Sequence, residues 1–409
     1  MYIWAINVNM ITEENLYAIL NEQKEWRQDN RIVQREVNIP VHPNRIIVIT
    51  GIRRCGKSTL LKQFLRDTGN ALYLNFEDPR LVNFELSDFI KVEKIAGILK
   101  SKTFLLDEIQ NITGWERFAR AAYDKGLHLY LTGSNTGMLS KELGTRLTGR
   151  YKSIELFPFS YKEYLDFTLS NASKETFSAY LKQGGFPDYL RESESEYLHT
   201  LLKDIITRDI AIRRGIRNEQ QLVRLAVFLI SNIGKPFSYN NITSVLEIKS
   251  VRTTIDYCDF LRESYLFDFI PRYSQSIRKQ QANAKKVYCI DTGLARTNSL
   301  SFSEDQGRML ENAVFLHLRI SGMEISYYND NKTECDFLVK VNGRIDAAYQ
   351  VCWHLHEDNT KRELAGIKNA LETTGCKNGA IITFNQEDKL DGIRLIPAWK
   401  WLYTDSYAG

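Results

Sequence analysis

Short apolar runs rich in β-branched residues alternate with stretches of helical spacing over residues 45–160. RIIVIT at 45–50, TFLLD at 103–107 and LHLYLT at 127–132 predict buried strands. LLKQFLR at 60–66 has the apolar spacing of an amphipathic helix. Since parallel strands need a crossover element between them, this alternation predicts an α/β parallel sheet.

Beyond residue 160 the pattern becomes helical, with apolar repeats at 198–212 and 221–234. Ser238 and Ser250 then stand where helix N-caps are expected, and two strand-like runs follow, which together predict a winged helix. The predicted domains are a helical lead-in at 1–44, an α/β P-loop domain at 45–160, a helical domain at 161–235, a winged helix at 236–300 and a further α/β domain at 301–409.

A glycine-rich turn follows the first predicted strand and opens the first predicted helix. It reads GIRRCGKST, a complete P-loop between a strand and a helix. Its glycines let successive backbone N–H groups face the phosphates of a nucleotide, while Lys57 adds a positive charge and Ser58 can ligate Mg²⁺. The predicted ATP-binding residues are Gly51, Ile52, Arg53, Arg54, Cys55, Gly56, Lys57, Ser58 and Thr59.

An acidic pair ends the second predicted strand. Asp107 is placed to hold Mg²⁺ with Ser58, and Glu108 to orient the attacking water. Ordinary helix capping is the alternative for such a pair. The third strand ends in polar Thr132, Ser134 and Asn135, where a sensor of the γ-phosphate is expected, with a capped turn as the alternative.

These motifs together resemble the bacterial and archaeal AAA-type ATPases fused to a C-terminal domain of unknown function. The resemblance rests on GIRRCGKST at 51–59, LLDEIQ at 105–110, LTGSN at 131–135, LTGR at 147–150, ELFPFSYKEYL at 155–165, GGFPDYL at 184–190, DIITRDIAIRRGIRN at 204–218 and KKVYCIDTGLA at 285–295. It implies an arginine finger, with Arg146 and Arg150 as candidates, often supplied by a neighbouring subunit and hence by a homo-oligomer. A surface salt bridge is the alternative for either arginine.

Composition agrees with a cytoplasmic protein without a membrane segment. The 409 residues carry a formal net charge of +4, and the six cysteines are scattered without CxxC pairing. Residues 201–290 are more basic, with nearly twice as many Lys and Arg as Asp and Glu. The wing is therefore a candidate for phosphate contacts to DNA, with docking of a protein partner or a merely solvated basic tip as the alternatives. The basic residues in and beside the wing are Arg272, Arg278, Lys279, Lys285 and Lys286.

The last predicted domain resembles the PD-(D/E)xK nuclease core. Glu311, Asp336 and Gln350 occupy its metal-ligand positions, but Cys352 stands where the catalytic lysine belongs. Lys340 lies on the strand of Asp336, about 13 Å away at the usual strand rise, which is too far to act beside a metal. We therefore expect a nuclease-like fold used for binding and without cutting activity. His354 and His356 are expected to be exposed loop residues.

The sequence thus predicts an ATPase that hydrolyses ATP with Mg²⁺ and switches the arrangement of its winged-helix and nuclease-like domains. Two alternatives remain open at this point: a nucleotide-gated DNA- or protein-binding scaffold with little turnover, and an ATP-regulated nuclease.

Overall fold

The computed structural model describes residues 11–24, 32–41, 43–134, 147–194, 196–276, 278, 280, 283–300 and 306–404. The chain divides into two compact units, Met1–Leu156 and Phe157–Gly409. The division falls close to the predicted end of the P-loop domain. Among the described helices, none combines the length and the apolar character that a bilayer crossing requires.

The first unit contains a five-stranded sheet in which all strand pairs are parallel, in the order β2-β3-β4-β1-β5. All five residues of β1 are buried, as expected for a parallel sheet covered on both faces. The predicted α/β fold class is confirmed. The strands are β1 (Ile46–Thr50), β2 (Ala71–Asn75), β3 (Thr103–Asp107), β4 (His128–Gly133) and β5 (Tyr151–Glu155).

Four described helices accompany this sheet: α1 (Glu13–Lys24), α2 (Lys57–Thr68), α3 (Phe89–Leu99) and α4 (Trp115–Asp124). The buried faces of α1, α3 and α4 belong to one hydrophobic core with β2, β3 and β4. In that core the rings of Phe89 and Phe118 stack with centroids 3.8 Å apart. These contacts pack the helices against the sheet.

The second unit begins with helices, as the pattern after residue 160 predicts. They are α5 (Tyr161–Thr168), α6 (Lys174–Gln183), α7 (Pro187–Glu192), α8 (Tyr197–Asp204), a π-helix (Ile205–Ile212) and α9 (Glu219–Ile230).

A small three-stranded sheet follows, with antiparallel order β6-β8-β7. Ser238 and Ser250 cap the two helices between its strands, since their side chains accept the N–H groups of Asn241 and Thr253. The segment thus contains the helices and strands that the sequence predicts, in the predicted order. Its elements are β6 (Pro236–Phe237), α10 (Tyr239–Val245), α11 (Val251–Glu263), β7 (Phe267–Pro271), β8 (Lys285–Cys289) and α12 (Thr292–Asn298).

The last part of the chain forms a mixed six-stranded sheet in the order β13-β14-β12-β11-β10-β9. Strands β9, β10 and β11 form an antiparallel meander, and β11, β12 and β14 run parallel. The elements are α13 (Gln306–Ile320), β9 (Glu324–Asn329), β10 (Glu334–Val341), β11 (Arg344–Cys352), α14 (Glu357–Thr374), β12 (Asn378–Thr383), β13 (Asp388–Leu390), β14 (Ile393–Pro397) and α15 (Ala398–Tyr403).

Direct hydrogen bonds connect the small sheet to the six-stranded one. The backbone N–H of Tyr273 donates to the carbonyl of Tyr327 at 2.7 Å, and the Tyr327 hydroxyl donates to the carbonyl of Ala284 at 2.7 Å. The Asn312 side chain forms two hydrogen bonds with the backbone of Cys289, at 2.8 and 2.9 Å. The segments on either side of residue 300 are therefore packed together within one unit.

Candidate functional site

The P-loop lies at the carboxyl edge of the parallel sheet. Thr50 pairs with Gly133 at this edge, so the loop after β1 faces the end of β4. Gly51 has φ 154°, and a Cβ there would come within 2.0 Å of the carbonyl oxygen of Leu156. Gly56 has φ 102° immediately before α2, another conformation that favours glycine. Both glycines are thus required by the backbone path, which leads into the N-terminus of α2.

Lys57, the first residue of α2, is buried beneath this loop. Its Nζ donates to the carbonyls of Gly51 and Ile52, at 3.1 Å each. The same Nζ lies 3.7 Å from Oε1 of Glu108. The ammonium is therefore held by the loop and by the carboxylate at the end of β3.

Asp107 is fully buried at the end of β3, and both of its carboxylate oxygens accept hydrogen bonds. The Tyr73 hydroxyl on the neighbouring strand donates to Oδ2 at 2.7 Å, and the Thr132 hydroxyl donates to Oδ1. Burial raises the pKa of Tyr73, and the Asp107 charge raises it further, so the phenol remains a proton donor. Thr132 also accepts the N–H of Glu108 at 2.8 Å. These contacts fix the orientation of the acidic pair.

Glu108 adopts a left-handed conformation with φ 52°, which turns it out of the strand direction. Its Oε2 accepts a hydrogen bond from the Gln110 side-chain amide, which also lies 3.5 Å from the Ser134 hydroxyl. Burial raises the pKa of Glu108, and the nearby Lys57 charge opposes that shift. The carboxylate is held by a lysine and an amide beside the P-loop.

Sequence reasoning missed Tyr73 and Gln110. Gln110 belongs to the LLDEIQ motif, and that proximity is the signal that would have found it. Tyr73 lies 34 residues before Asp107, and only the parallel pairing of β2 with β3 brings it there.

Cys55 and Arg35 stabilise the P-loop through hydrogen bonds to backbone carbonyls. The Arg35 guanidinium donates to the carbonyl of Cys55 at 2.8 Å, and the Cys55 thiol donates to the carbonyl of Leu156 at 3.3 Å. Burial raises the pKa of this thiol. Cys55 therefore packs as a neutral side chain and lacks the thiolate that reactive cysteines need.

Arg150 lies at the edge of the sheet opposite the P-loop. Its carbonyl accepts the N–H of Ile46 at the start of β1, so about five strand residues, or roughly 16 Å, separate it from Gly51. Its Nε lies 3.7 Å from Oδ1 of Asp124. Arg150 is therefore remote from the P-loop of its own chain. Arg146 and Asn135 lie outside the described residues.

Comparison with known proteins places these features in a family. A family described as "AAA domain" matches residues 43–165, and one described as "Domain of unknown function (DUF8612)" matches residues 174–305. An uncharacterized protein of Methanocaldococcus jannaschii is 32% identical over 433 residues, covering 97% of both chains. An uncharacterized protein of Haemophilus influenzae is 30% identical over 383 residues, covering 87% of this chain and 94% of that one. The chain belongs to this family of AAA-domain proteins.

Two solved structures show weaker similarity to this AAA-domain protein. AMPPCP-bound DnaA from Aquifex aeolicus has a TM-score of 0.29 at 18% identity, covering 55% of this chain and 74% of that one. The RuvB Holliday junction branch migration motor of Thermotoga maritima has a TM-score of 0.29 at 17% identity, covering 63% of this chain and 88% of that one.

A second polar network lies in the C-terminal unit of the AAA-domain protein, at the three sequence positions that resemble a nuclease core. Oδ2 of Asp336 accepts the N–H of Val351 at 2.9 Å, and the N–H of Asp336 faces Oε1 of Gln350 at 3.3 Å. The Gln350 amide donates to Oε2 of Glu363 at 2.6 Å. Glu311 accepts the Tyr288 hydroxyl at 2.6 Å.

Neither Lys340 nor Cys352 provides a positive charge to this network. Lys340 pairs with Glu324 at 2.7 Å, away from Asp336. Burial raises the pKa of Cys352 to about 11, so its thiol remains neutral. Across the described residues, no group of His, Cys, Asp and Glu side chains has the arrangement of a metal site. His354 is exposed in the turn that the sequence predicts, and His356 lies just before α14, where it is half exposed.

The basic residues expected to contact DNA have different surroundings from those the sequence suggests. Lys286 is buried among carboxylates, so its prediction as a phosphate contact was wrong. Lys285 is half-buried and donates to the Tyr239 hydroxyl at 3.1 Å, and Arg272 lies 3.4 Å from the Asn331 side chain. Arg278 is exposed, whereas Lys279 lies outside the described residues. The charge of Lys286 is therefore not available to a phosphate backbone.

Proposed function

We propose that this AAA-domain protein binds ATP at the loop 51–59 and hydrolyses it with the help of Glu108. The observation that carries the proposal is the convergence of Lys57, Asp107 and Glu108 at one edge of a parallel sheet, beside a loop whose backbone requires glycine. β4 pairs with both β1 and β3, so the loop after β1 and the acidic pair at the end of β3 lie at the same edge, where Nζ of Lys57 is 3.7 Å from Oε1 of Glu108. Such an arrangement suits phosphoryl transfer, which depends on positioning and on charge stabilisation.

The phosphates would be held by the backbone N–H groups of the loop and by the N-terminus of α2. Lys57 now donates to two carbonyls of its own loop, and these are ordinary hydrogen bonds that a phosphate oxygen can replace. Because the Lys57 ammonium would stay near Glu108 when a phosphate is bound, it would connect the transferred phosphate to the carboxylate that orients water. Glu108 needs to be ionised for that role, and Lys57 favours its ionised form.

The site also fits Mg²⁺. Ser58 in the first turn of α2 and Asp107 would hold the ion, which when bound neutralises charge on the β- and γ-phosphates. The hydroxyl of Thr50 is buried at the end of β1 and has no hydrogen-bond partner among the described groups, so an unsatisfied polar atom adjoins the loop. Tyr73 and Thr132 hold the Asp107 carboxylate in a single orientation, which suits a metal ligand or a ligand of metal-bound water.

The output of the cycle is proposed to be conformational. A P-loop domain shifts the arrangement of the domains attached to it when its ATP-bound and ADP-bound states contact those domains with different affinity. The winged-helix-like segment and the six-stranded nuclease-like domain would be the responding parts. Their mutual hydrogen bonds make a joint response of the two more favourable than a separation of one from the other. DNA or a protein partner bound there would be sensed through the ATP cycle.

The test separates binding from turnover. We expect Lys57→Ala to abolish tight ATP binding, because it removes the charge at the phosphates. Glu108→Gln should bind ATP like the wild type and lose turnover by about a hundredfold or more, because a neutral amide cannot accept the proton of water. Binding is measured with a fluorescent ATP analogue and turnover by phosphate release, with and without double-stranded DNA.

The matched control is Arg66→Ala at the other end of α2, where the arginine is exposed and pairs with Asp67. It should leave both measurements unchanged. Equal turnover in the wild type and in Glu108→Gln would refute the role of Glu108, and unaltered ATP affinity in Lys57→Ala would refute the site itself.

A further inference from the structure

Lys286 of β8 is the most completely buried charged side chain of the C-terminal polar network, with 1% of its surface exposed. Its Nζ lies 2.9 Å from Oδ1 of Asp336, 2.7 Å from Oε1 of Glu334 and 3.2 Å from Oε1 of Glu311. The three carboxylates come from α13 and β10, and the lysine comes from the small sheet. One ammonium therefore sits at the centre of three acids from a different part of the fold.

This geometry is that of an ammonium site. The ammonium donates hydrogen bonds to Asp336 and Glu311, and Glu334 forms an ion pair with it. These Nζ–O distances suit an ammonium, whereas Mg²⁺ needs oxygen ligands at about 2.0–2.1 Å and Ca²⁺ at about 2.3–2.6 Å. Burial disfavours the charge of Lys286, but Asp336 and Glu311 together outweigh this effect and raise its pKa well above the usual value.

The other polar atoms at the nuclease-type positions have hydrogen-bond partners within the chain. The second oxygen of Asp336 accepts a backbone N–H, and Glu311 accepts the hydroxyl of Tyr288. Gln350 directs its amide to Glu363 and its oxygen to the Asp336 N–H. The divalent cation that the nuclease resemblance implies therefore does not fit the residues as they are arranged.

We infer that Lys286 is the built-in cation of this pocket: its ammonium occupies the place a divalent metal would take, keeps the pocket free of metal and ties β8 to the six-stranded sheet. Asp336 and Glu311 can remain largely buried because an internal charge compensates them, whereas Glu334 is partly exposed. The pocket is thus a metal-type carboxylate site closed by the chain itself, and it has no vacant position at which a scissile phosphate could meet a metal.

The neighbouring lysine provides a matched control. Successive residues of a strand point to opposite faces, so Lys285 faces away from the pocket, toward Tyr239. Replacing either lysine by methionine removes one charge from the same strand and keeps a similar chain length. Only Lys286→Met opens the pocket.

Mn²⁺ binding to the nucleotide-free full chain tests the inference and is followed by electron paramagnetic resonance. Wild type and Lys285→Met should bind Mn²⁺ with equal affinity, whereas Lys286→Met should bind it at least about tenfold more tightly than either, because three carboxylates are left without a cation. Adding Asp336→Asn to Lys286→Met should abolish that gain. Without nucleotide, the result does not depend on the proposed ATPase activity.

Two results would overturn the inference. One is a folded Lys286→Met protein that gains no Mn²⁺ affinity. The other is obtained on the wild type alone, so it stands even if the variant fails to fold. Lysines are labelled with an amine-reactive reagent and read by mass spectrometry, and Lys286 should stay unlabelled with and without Mg²⁺. Labelling of Lys286 that appears only when Mg²⁺ is added would show that metal displaces the ammonium.

Discussion

Asp291 offers an unusual test of the C-terminal unit, because its carboxylate is buried and joins two distant parts of the chain. Oδ2 accepts the N–H of Gly185 at 2.6 Å, and Oδ1 accepts the N–H of Leu294 at 2.7 Å. A Cβ on Gly184 would lie 2.2 Å from the same carboxylate, so the approach is possible only with glycine. Burial raises the pKa of Asp291 to about 6, against an opposing effect of these N–H groups.

The raised pKa makes Asp291 favour folding at acidic pH. The folded chain takes up the proton first, because the folded pKa of about 6 exceeds the ordinary value of 3.8. The resulting stabilisation is complete below about pH 3.8 and is lost as the pH rises through about 6. From about pH 7.5 to about pH 5 the free energy of unfolding should rise by about 1.4 kcal/mol relative to a variant that cannot titrate there.

Asp291→Asn is that variant, since it keeps the shape and cannot ionise. The free energy of opening is measured by hydrogen exchange on the amides of Gly185 and Leu294 in the full chain, for wild type and variant across this pH range. The difference between the two proteins removes the effect of all other titrating groups. A difference that stays constant with pH would refute the perturbed pKa. If acidification lowered the free energy of opening of the wild type relative to that of the variant, burial could not be the dominant effect on the pKa of Asp291.

Two further sets of variants test individual contacts. Tyr73→Phe leaves an oxygen of Asp107 without its donor and should lower Mg²⁺-dependent ATP turnover several-fold, whereas Tyr123→Phe, which loses only a 3.2 Å hydrogen bond at the surface, should not; equal effects in phosphate-release assays would contradict the role of Tyr73. Gly97→Ala should raise the free energy of unfolding by about 0.5–1 kcal/mol, because a helical Cβ there meets open space. Gly366→Ala should lower the free energy of unfolding by about 1–3 kcal/mol, because its Cβ would lie 2.1 Å from the carbonyl oxygen of Glu334. Denaturant unfolding of both variants measures these effects, and a stable Gly366→Ala protein would show that α14 can shift on β10.

The parts of the molecule that sequence predicts well are those fixed by local chemistry. The P-loop needs glycines at defined positions between a strand and a helix. Gly51 and Gly56 have positive φ angles, as this motif requires. The N-caps Ser238 and Ser250 are equally local. The α/β class follows from apolar runs whose length and spacing suit a parallel sheet.

The same local reasoning does not predict contacts between residues that are far apart in the sequence. Tyr73 meets Asp107 through strand pairing, and Lys286 meets Asp336 across 50 residues. Lys340 is the candidate that the sequence offers, because it shares the strand of Asp336. The structure instead brings in a lysine from another sheet, and no periodicity within β10 or β11 carries that information.

Formal charge was also a poor guide to exposed charge. The basic excess of residues 201–290 includes Lys286, which is buried and compensated by Glu311, Glu334 and Asp336 from outside that segment. Lys285 is half-buried, whereas Arg278 is exposed. Counting residues therefore overstates the positive charge that this segment can present to a phosphate backbone.

Among the described residues, the two buried lysines have different surroundings. Lys57 donates to two backbone carbonyls and lies 3.7 Å from Glu108, and in the proposed ATP site a phosphate would replace those carbonyls. Lys286 lies within 3.2 Å of three carboxylates, and its loss would leave Asp336 and Glu311 as largely buried charges without compensation. The proposed ATP site thus uses the first lysine, whereas the second stabilises the fold. Replacing Lys286, as in Lys286→Met, is the change that would open the C-terminal pocket.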